Sequence, residues 1–201
     1  MAQLYAIVGT IERARFMLEG EVPDLQLRFK ERPLAPYRDE ILGWPKRYPR
    51  TRVILNDDLD EAVALHAWGV HLGQEDLERY PPERLRELEH GGPVLGISTH
   101  DDAEIARAKA LGAAMLGFGP LFPTGTKTLK RTPHGLAPLA RAVREFQAAP
   151  GGLPLIAIGG IGEETLDAVA DTGVALIAMI AYLDRIVTRA QLDALQRRIA
   201  R

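Results

Sequence analysis

The sequence predicts an α/β protein built as a single, compact (β/α)8 barrel domain spanning residues 1–201. Three observations carry that prediction. Short apolar runs recur along the chain, each followed by a loop and then by a segment of helical period, the pattern of parallel strands joined by crossover helices. Eight such units can be counted, and 201 residues suffice for one closed barrel at the compact end of its size range. Polar and charged residues gather just after the apolar runs, where a barrel of this kind carries its active site. An open doubly wound sheet is the alternative.

Taken in order, LYAIV (Leu4 to Val8) is the first strand and Glu12 to Leu18 a short helix. DLQLRF (Asp24 to Phe29) alternates, with Leu25, Leu27 and Phe29 on one face, and Pro36 to Trp44 has helical spacing. RVIL (Arg52 to Leu55) precedes a helix over Leu59 to Ala67, and GVHLG (Gly69 to Gly73) precedes one over Pro82 to Leu88. VLGIS (Val94 to Ser98) leads to a helix opening at His100-Asp101-Asp102, where acids suit the first-turn amides. Met115 to Phe118 is the sixth strand, with its helix over Gly135 to Phe146. LPLIAI (Leu153 to Ile158) and VALIAMI (Val174 to Ile180) complete the set, with helical pattern between them and over Ala190 to Ile199. Pro81-Pro82, Gly91-Gly92-Pro93 and Pro150 to Pro154 are expected as turns on the opposite, lower side.

Composition bounds the function. With 46% hydrophobic and 26% charged residues, this is an ordinary globular composition, and a net charge of -2 lacks the basic stripe of a nucleic-acid binder. There is no cysteine, hence no disulfide, thiolate nucleophile or cysteine metal site. No apolar run approaches the ~20 residues of a membrane span, and MAQLYAIVGTIERAR lacks the pattern of a signal peptide. A cytoplasmic protein acting on small molecules, without nucleic acid or membrane as partner, is the expectation. A homo-oligomer is compatible with everything in the sequence.

The rim residues point to phosphate and metal. Gln26, Arg28 and Lys30 share one side of the second strand. If that side faces a barrel interior, the two cations need an anion; the plain alternative is an edge strand with a solvated face. Asn56, Asp57 and Asp76 offer hard oxygens from neighbouring strand ends, which suits Mg²⁺ with substrate phosphates. Asp57 or Asp58 could instead cap the following helix, Asp58 being the better placed. The loop GPLFPTGTKT (Gly119 to Thr128) carries Thr124, Thr126 and Lys127, in a chain whose only other lysines are Lys30, Lys46, Lys109 and Lys130. Hydroxyls, amides and one ammonium make a phosphate cradle. Gly159-Gly160 lets backbone amides approach a phosphate, though a turn glycine alone is a weak sign. Together these describe a diphosphate with a divalent metal. Among the histidines, His66 and His71 are expected to be packed, His100 to cap its helix, His134 to lie in the sixth loop and His90 at the surface.

The set QLRFK, ND, GVHLGQEDL, GISTHDD, GPLFPTGTK and AIGGI resembles the thiamine phosphate synthase family along nearly the whole chain. The resemblance implies a (β/α)8 barrel that joins hydroxymethylpyrimidine diphosphate to thiazole phosphate and releases pyrophosphate. Carried over by motif, Gln26, Arg28 and Lys30 would contact the pyrimidine and its diphosphate, and Asn56 the diphosphate. Asp57 and Asp76 would hold Mg²⁺, and Ser98 would touch the pyrimidine. Thr124 and Thr126 would meet a phosphate, Lys127 the diphosphate, and the Gly160 amide the thiazole phosphate. Arg28, Lys30, Ser98 and Lys127 are the implied catalytic set.

Two departures stand out. The family usually carries a serine at the end of the last strand, where this chain has Ile177-Ala178-Met179. A related thiazole tautomerase branch uses a histidine where this chain has Pro120, which counts against that activity. A non-catalytic phosphometabolite-binding barrel is the third reading, resting on Ala178.

Overall fold

Alternation along the strands decides what faces inward. In a computed structural model describing residues 1–29, 33–124 and 132–201, eight parallel strands close into a barrel in the order of the chain. These are β1 (Gln3–Val8), β2 (Asp24–Leu27), β3 (Arg52–Asn56), β4 (Gly69–Leu72), β5 (Val94–Thr99), β6 (Met115–Phe118), β7 (Leu155–Ala157) and β8 (Leu176–Met179). Closure is made by β1, which pairs with β2 on one side (Tyr5 with Asp24) and β8 on the other (Tyr5 with Ala178). The open sheet and the solvated edge strand are thereby excluded.

Successive side chains point to opposite faces of a strand. On β1, Leu4, Ala6 and Val8 join the core between strands and helices, while Tyr5 and Ile7 join the barrel's inner cluster. On β8 the same rule sends Ile177 and Met179 outward and Leu176 and Ala178 inward. On β2, Leu25 and Leu27 pack against the helices, and Gln26, 2% exposed, lies inside. The expected alternation of QLR therefore holds.

The helices are α1 (Ile11–Glu19), α2 (Arg38–Arg47), α3 (Leu59–Ala64), α4 (Pro82–Glu87), α5 (Asp102–Ala110), α6 (Leu136–Ala142), α7 (Leu166–Ala170) and α8 (Arg189–Ile199). Several start on side-chain caps that satisfy otherwise unpaired amides. Thr10 accepts from Arg13 N, Asp58 from Glu61 N, Asp101 from Glu104 N and Thr188 from Gln191 N. With Asp58 as the cap, Asp57 is left for the rim. No helix among the described residues is long and apolar enough to cross a membrane.

Three expectations need correction. The third helix stops at Ala64, because His66 has φ 50 and the chain turns back there; His66 is exposed, not packed. Pro81-Pro82 is not a lower turn: Pro82 opens α4 after β4, on the rim side, where a first-turn proline loses no hydrogen bond. His100 does not cap α5; Asp101 does, and His100 instead bonds Glu104 through its backbone N–H and Nδ1.

Candidate active site

At the carboxyl ends of the strands the barrel opens into a cavity of about 520 Å³. Gln26, Arg28, Asn56, Asp57, Asp76, Ser98, Thr124 and Gly160 all line it, so eight of the sequence-predicted site residues meet at one place. Lys30, Thr126 and Lys127 lie outside the described residues.

The most polar corner is made by β3 and β4. Past the end of β3, Asp57 takes φ 65 while its N–H continues the ladder to the His71 carbonyl at 2.9 Å. Such a left-handed residue is uncommon unless it is Gly, Asn or Asp, and it costs on the order of 1 kcal/mol or more. The turn keeps the Asp57 carboxyl beside that of Asp76. Asp76 is held by the Gly73 N–H on Oδ2 at 2.9 Å, with Arg79 at 3.7 Å from Oδ1. Burial first, and then the neighbouring Asp76 charge, push the Asp57 carboxyl up to about 6, while Arg28 and a hydrogen bond from Asn56 act the other way. Two carboxyls facing one another in a partly dry corner fit a hard divalent cation such as Mg²⁺. Among the described residues no cluster of three or more His, Asp or Glu accompanies them, so further ligands would come from substrate oxygens or water.

Inside the barrel, below this corner, a second polar group forms the cavity floor. Gln26 Nε2 donates to the Tyr5 hydroxyl at 3.1 Å. His71 Nε2 lies 3.1 Å from Ser98 Oγ, and Gln74 Nε2 donates to the Ser98 carbonyl at 2.6 Å. Burial, partly opposed by Asp76, lowers the His71 imidazole to about 4, so it is neutral at pH 7. His100 lies on the wall, its Nδ1 2.7 Å from Glu104.

The opposite wall is apolar. Ile156 and Ile158 of the seventh unit and Ala178, Ile180 and Ala181 of the eighth line it without a hydroxyl. Between them Gly159 and Gly160 take φ 100 and φ 67. A side chain at Gly160 would sit 2.5 Å from the Pro123 carbonyl, so glycine is required by the close approach of the sixth loop. That approach is fixed by Leu121 N to Ile158 O at 2.9 Å and Phe122 N to Gly159 O at 3.0 Å. The Gly160 N–H itself makes no hydrogen bond among the described residues. The structural and the phosphate-binding readings of this pair are therefore compatible.

Sequence reasoning missed Tyr5, His71 and Arg79. Tyr5 and His71 sit inside apolar strands and read as packing, while Arg79 Nη1 donates to the Asp57 carbonyl at 3.0 Å from a turn of 3₁₀ helix (Asp76–Arg79). Alternation along GVHLG could have placed His71 inward, because Val70 and Leu72 take the helix-facing positions.

Residues 4–183 match the sequence profile of a family described as thiamine monophosphate synthase. A thiamine-phosphate synthase of Cronobacter sakazakii is 40% identical over 183 residues, covering 90% of this chain and 83% of that protein. One of Serratia proteamaculans is 38% identical over the same length, covering 90% of this chain and 82% of that protein. Among solved structures, a thiamine phosphate pyrophosphorylase from Pyrococcus furiosus superposes with a TM-score of 0.75 at 27% identity, covering 98% of this chain and 95% of that one. A 3-hexulose-6-phosphate synthase from Salmonella typhimurium reaches a TM-score of 0.69 at 15% identity, covering 98% of each chain, and shows the fold alone.

Proposed function

The chain belongs to the thiamine monophosphate synthase family and is a transferase that makes thiamine phosphate; from that premise we propose how its rim performs the reaction. The observation that carries the proposal is the Asp57–Asp76 carboxyl pair beside Arg28 at the mouth of the cavity. Arg28 draws the Asp57 carboxyl down but does not offset burial and Asp76, which suits a corner that takes a metal together with a diphosphate. Asp57 and Asp76 would hold Mg²⁺, which would supply positive charge to the diphosphate oxygens.

Arg28, Lys30, Asn56 and Lys127 bind the diphosphate of hydroxymethylpyrimidine diphosphate, with Thr124 and Thr126 donating to a phosphate. Gln26 and Ser98 hold the pyrimidine on the cavity floor. The Gly160 amide meets the thiazole phosphate across the apolar wall. The C–O bond to the diphosphate then breaks, its electron pair leaves with pyrophosphate, and the pyrimidine methylene carbon becomes cationic. The thiazole nitrogen donates its lone pair to that carbon. No side-chain nucleophile is needed, which suits a sequence without cysteine. The protein contributes orientation and stabilisation of departing charge, each well-placed donor being worth ~3–4 kcal/mol.

A tautomerase acting on the same thiazole phosphate lacks its histidine here, since Pro120 occupies that place on the cavity wall. The test is incubation with both substrates and Mg²⁺, measuring pyrophosphate and thiamine phosphate together. Equal yields of both, abolished by chelation, are expected. Binding of thiazole phosphate with neither product would instead favour the non-catalytic reading.

A further inference from the structure

The histidine inside the barrel is seated in a space that two other strands leave for it. Next to His71 on β4 stand Gly96 on β5 and Gly117 on β6. A side chain at Gly96 would come 2.7 Å from His71 Nδ1, and one at Gly117 3.2 Å from both Cε1 and Nε2. Tyr5 meets the ring edge-on at 6.4 Å between centroids. The imidazole is thus fixed in one orientation by backbone on one side and an aromatic ring on the other.

Hydrogen accounting then favours one nitrogen as the protonated one. Nδ1 is buried and has no hydrogen-bond partner, while Nε2 lies 3.1 Å from Ser98 Oγ. A hydrogen on Nδ1 would be a donor facing only a glycine backbone, the kind of orphan that folded proteins avoid. A bare Nδ1 loses less, because it faces the same contact with only a lone pair. On that accounting the hydrogen is placed on Nε2 as donor to Ser98 Oγ, 3.1 Å away, which leaves the Ser98 hydroxyl hydrogen to point elsewhere. Ser98 itself lines the cavity.

We propose that His71 is a positioning residue that holds Ser98 as a hydrogen-bond donor toward the cavity, so that the substrate atom facing Ser98 is an acceptor, a ring nitrogen rather than an amino group. This rests on the function proposed above and adds the polarity of one of its contacts. It also gives a reason for the two glycines, which make room for a ring and not merely for close strand packing.

Two measurements test it. Long-range ¹H–¹⁵N spectra of the substrate-free protein at pH 7.5, with the His71 signals assigned by their loss in His71→Gln, are expected to show the neutral Nε2–H tautomer. The Nδ1–H tautomer would overturn the proposal. Because no substrate is present, this result is independent of whether the proposed activity is right. In kinetics, His71→Leu should lower kcat/KM for the pyrimidine diphosphate about tenfold, the scale of one lost hydrogen bond to substrate. His71→Gln, whose amide nitrogen can reach the place of Nε2, should recover most of that loss. The double variant His71→Leu/Ser98→Ala should be no worse than Ser98→Ala alone. Independent, multiplying losses, or a Gln variant as poor as Leu, would show that His71 does not act through Ser98.

Discussion

The two ends of this barrel each hold a buried or partly buried aspartate, and the two differ in what surrounds the carboxyl. At the lower end Asp24 opens β2, fully buried, and takes a hydrogen bond from Arg52 Nη2 at 2.6 Å. The Arg52 guanidinium lies over the Trp68 ring, 4.7 Å from its centroid. At the upper end Asp57 stands beside Asp76. For both Asp24 and Asp57 the first cause of a raised pKa is burial, but the next one differs in sign: Arg52 lowers Asp24 again, whereas Asp76 raises Asp57 further. The lower carboxylate has its counter-charge within the protein. The upper pair has Arg79 3.7 Å from Asp76 and Arg28 acting on Asp57, yet burial and Asp76 keep the Asp57 carboxyl raised.

If that contrast is right, substitutions at the two ends should change different measurements. The largest effect is expected at the upper end. Arg28→Ala should lower kcat by ~10²–10³-fold, the loss seen when one charge-stabilising donor is removed. Its melting temperature should stay close to that of the parent. A variant that melts much lower would move Arg28 from the chemistry to the fold.

Next in size is the metal response. Asp57→Asn keeps the hydrogen-bonding shape of the side chain and removes one charge from the pair. The Mg²⁺ concentration for half-maximal synthesis should rise about 10–100-fold, a typical cost for disturbing a metal site. An unchanged Mg²⁺ titration would take Asp57 out of the metal site.

The lower end predicts a stability effect with a definite sign in pH. The folded protein raises the pKa of Asp24 above its unfolded value of about 4. The stability linked to this group is therefore fully present below about pH 4 and is lost as pH rises through the higher folded value. Asp24→Asn should flatten the profile of melting temperature against pH above that point. Arg52→Ala, which removes the counter-charge, should steepen it, and should leave kcat measured at low temperature unchanged. Equal profiles for the two variants would mean that the ion pair does not govern this end.

The same contrast explains what was legible in the sequence. Periodicity carried the barrel, because each strand faces two apolar layers and each helix one. The rim was legible through residue type: Arg28, Asn56, Asp57 and Asp76 are charged or polar at strand ends, and Asp58 offered itself as the cap that freed Asp57. The cavity floor was not legible in the same way. Tyr5 and His71 are amphipathic side chains within apolar strands, and packing against a core looks, in one dimension, the same as lining a cavity. Arg79 reaches Asp57 from twenty-two positions away through a turn that spacing does not encode. The end of α3 was missed because His66 takes its positive φ without glycine to announce it.

The apolar wall sharpens the comparison one step further, since it lacks the hydroxyl that the family's pattern places at its last strand. Ala178 lies inside the barrel, 2% exposed, paired with Tyr5 across the closing strands. A phosphate bound here can use the Gly160 amide but no side-chain donor at Ala178. Ala178→Ser adds a single oxygen at a position that borders the cavity, so the fold should accept it. If the missing hydroxyl limits binding, KM for thiazole phosphate should fall about three- to tenfold, the scale of one ordinary hydrogen bond after water has competed, with kcat unchanged. An unchanged or higher KM would mean that backbone amides alone suffice on this side. Recognition would then be divided by chemistry: side chains where charge departs, backbone where a phosphate is only held.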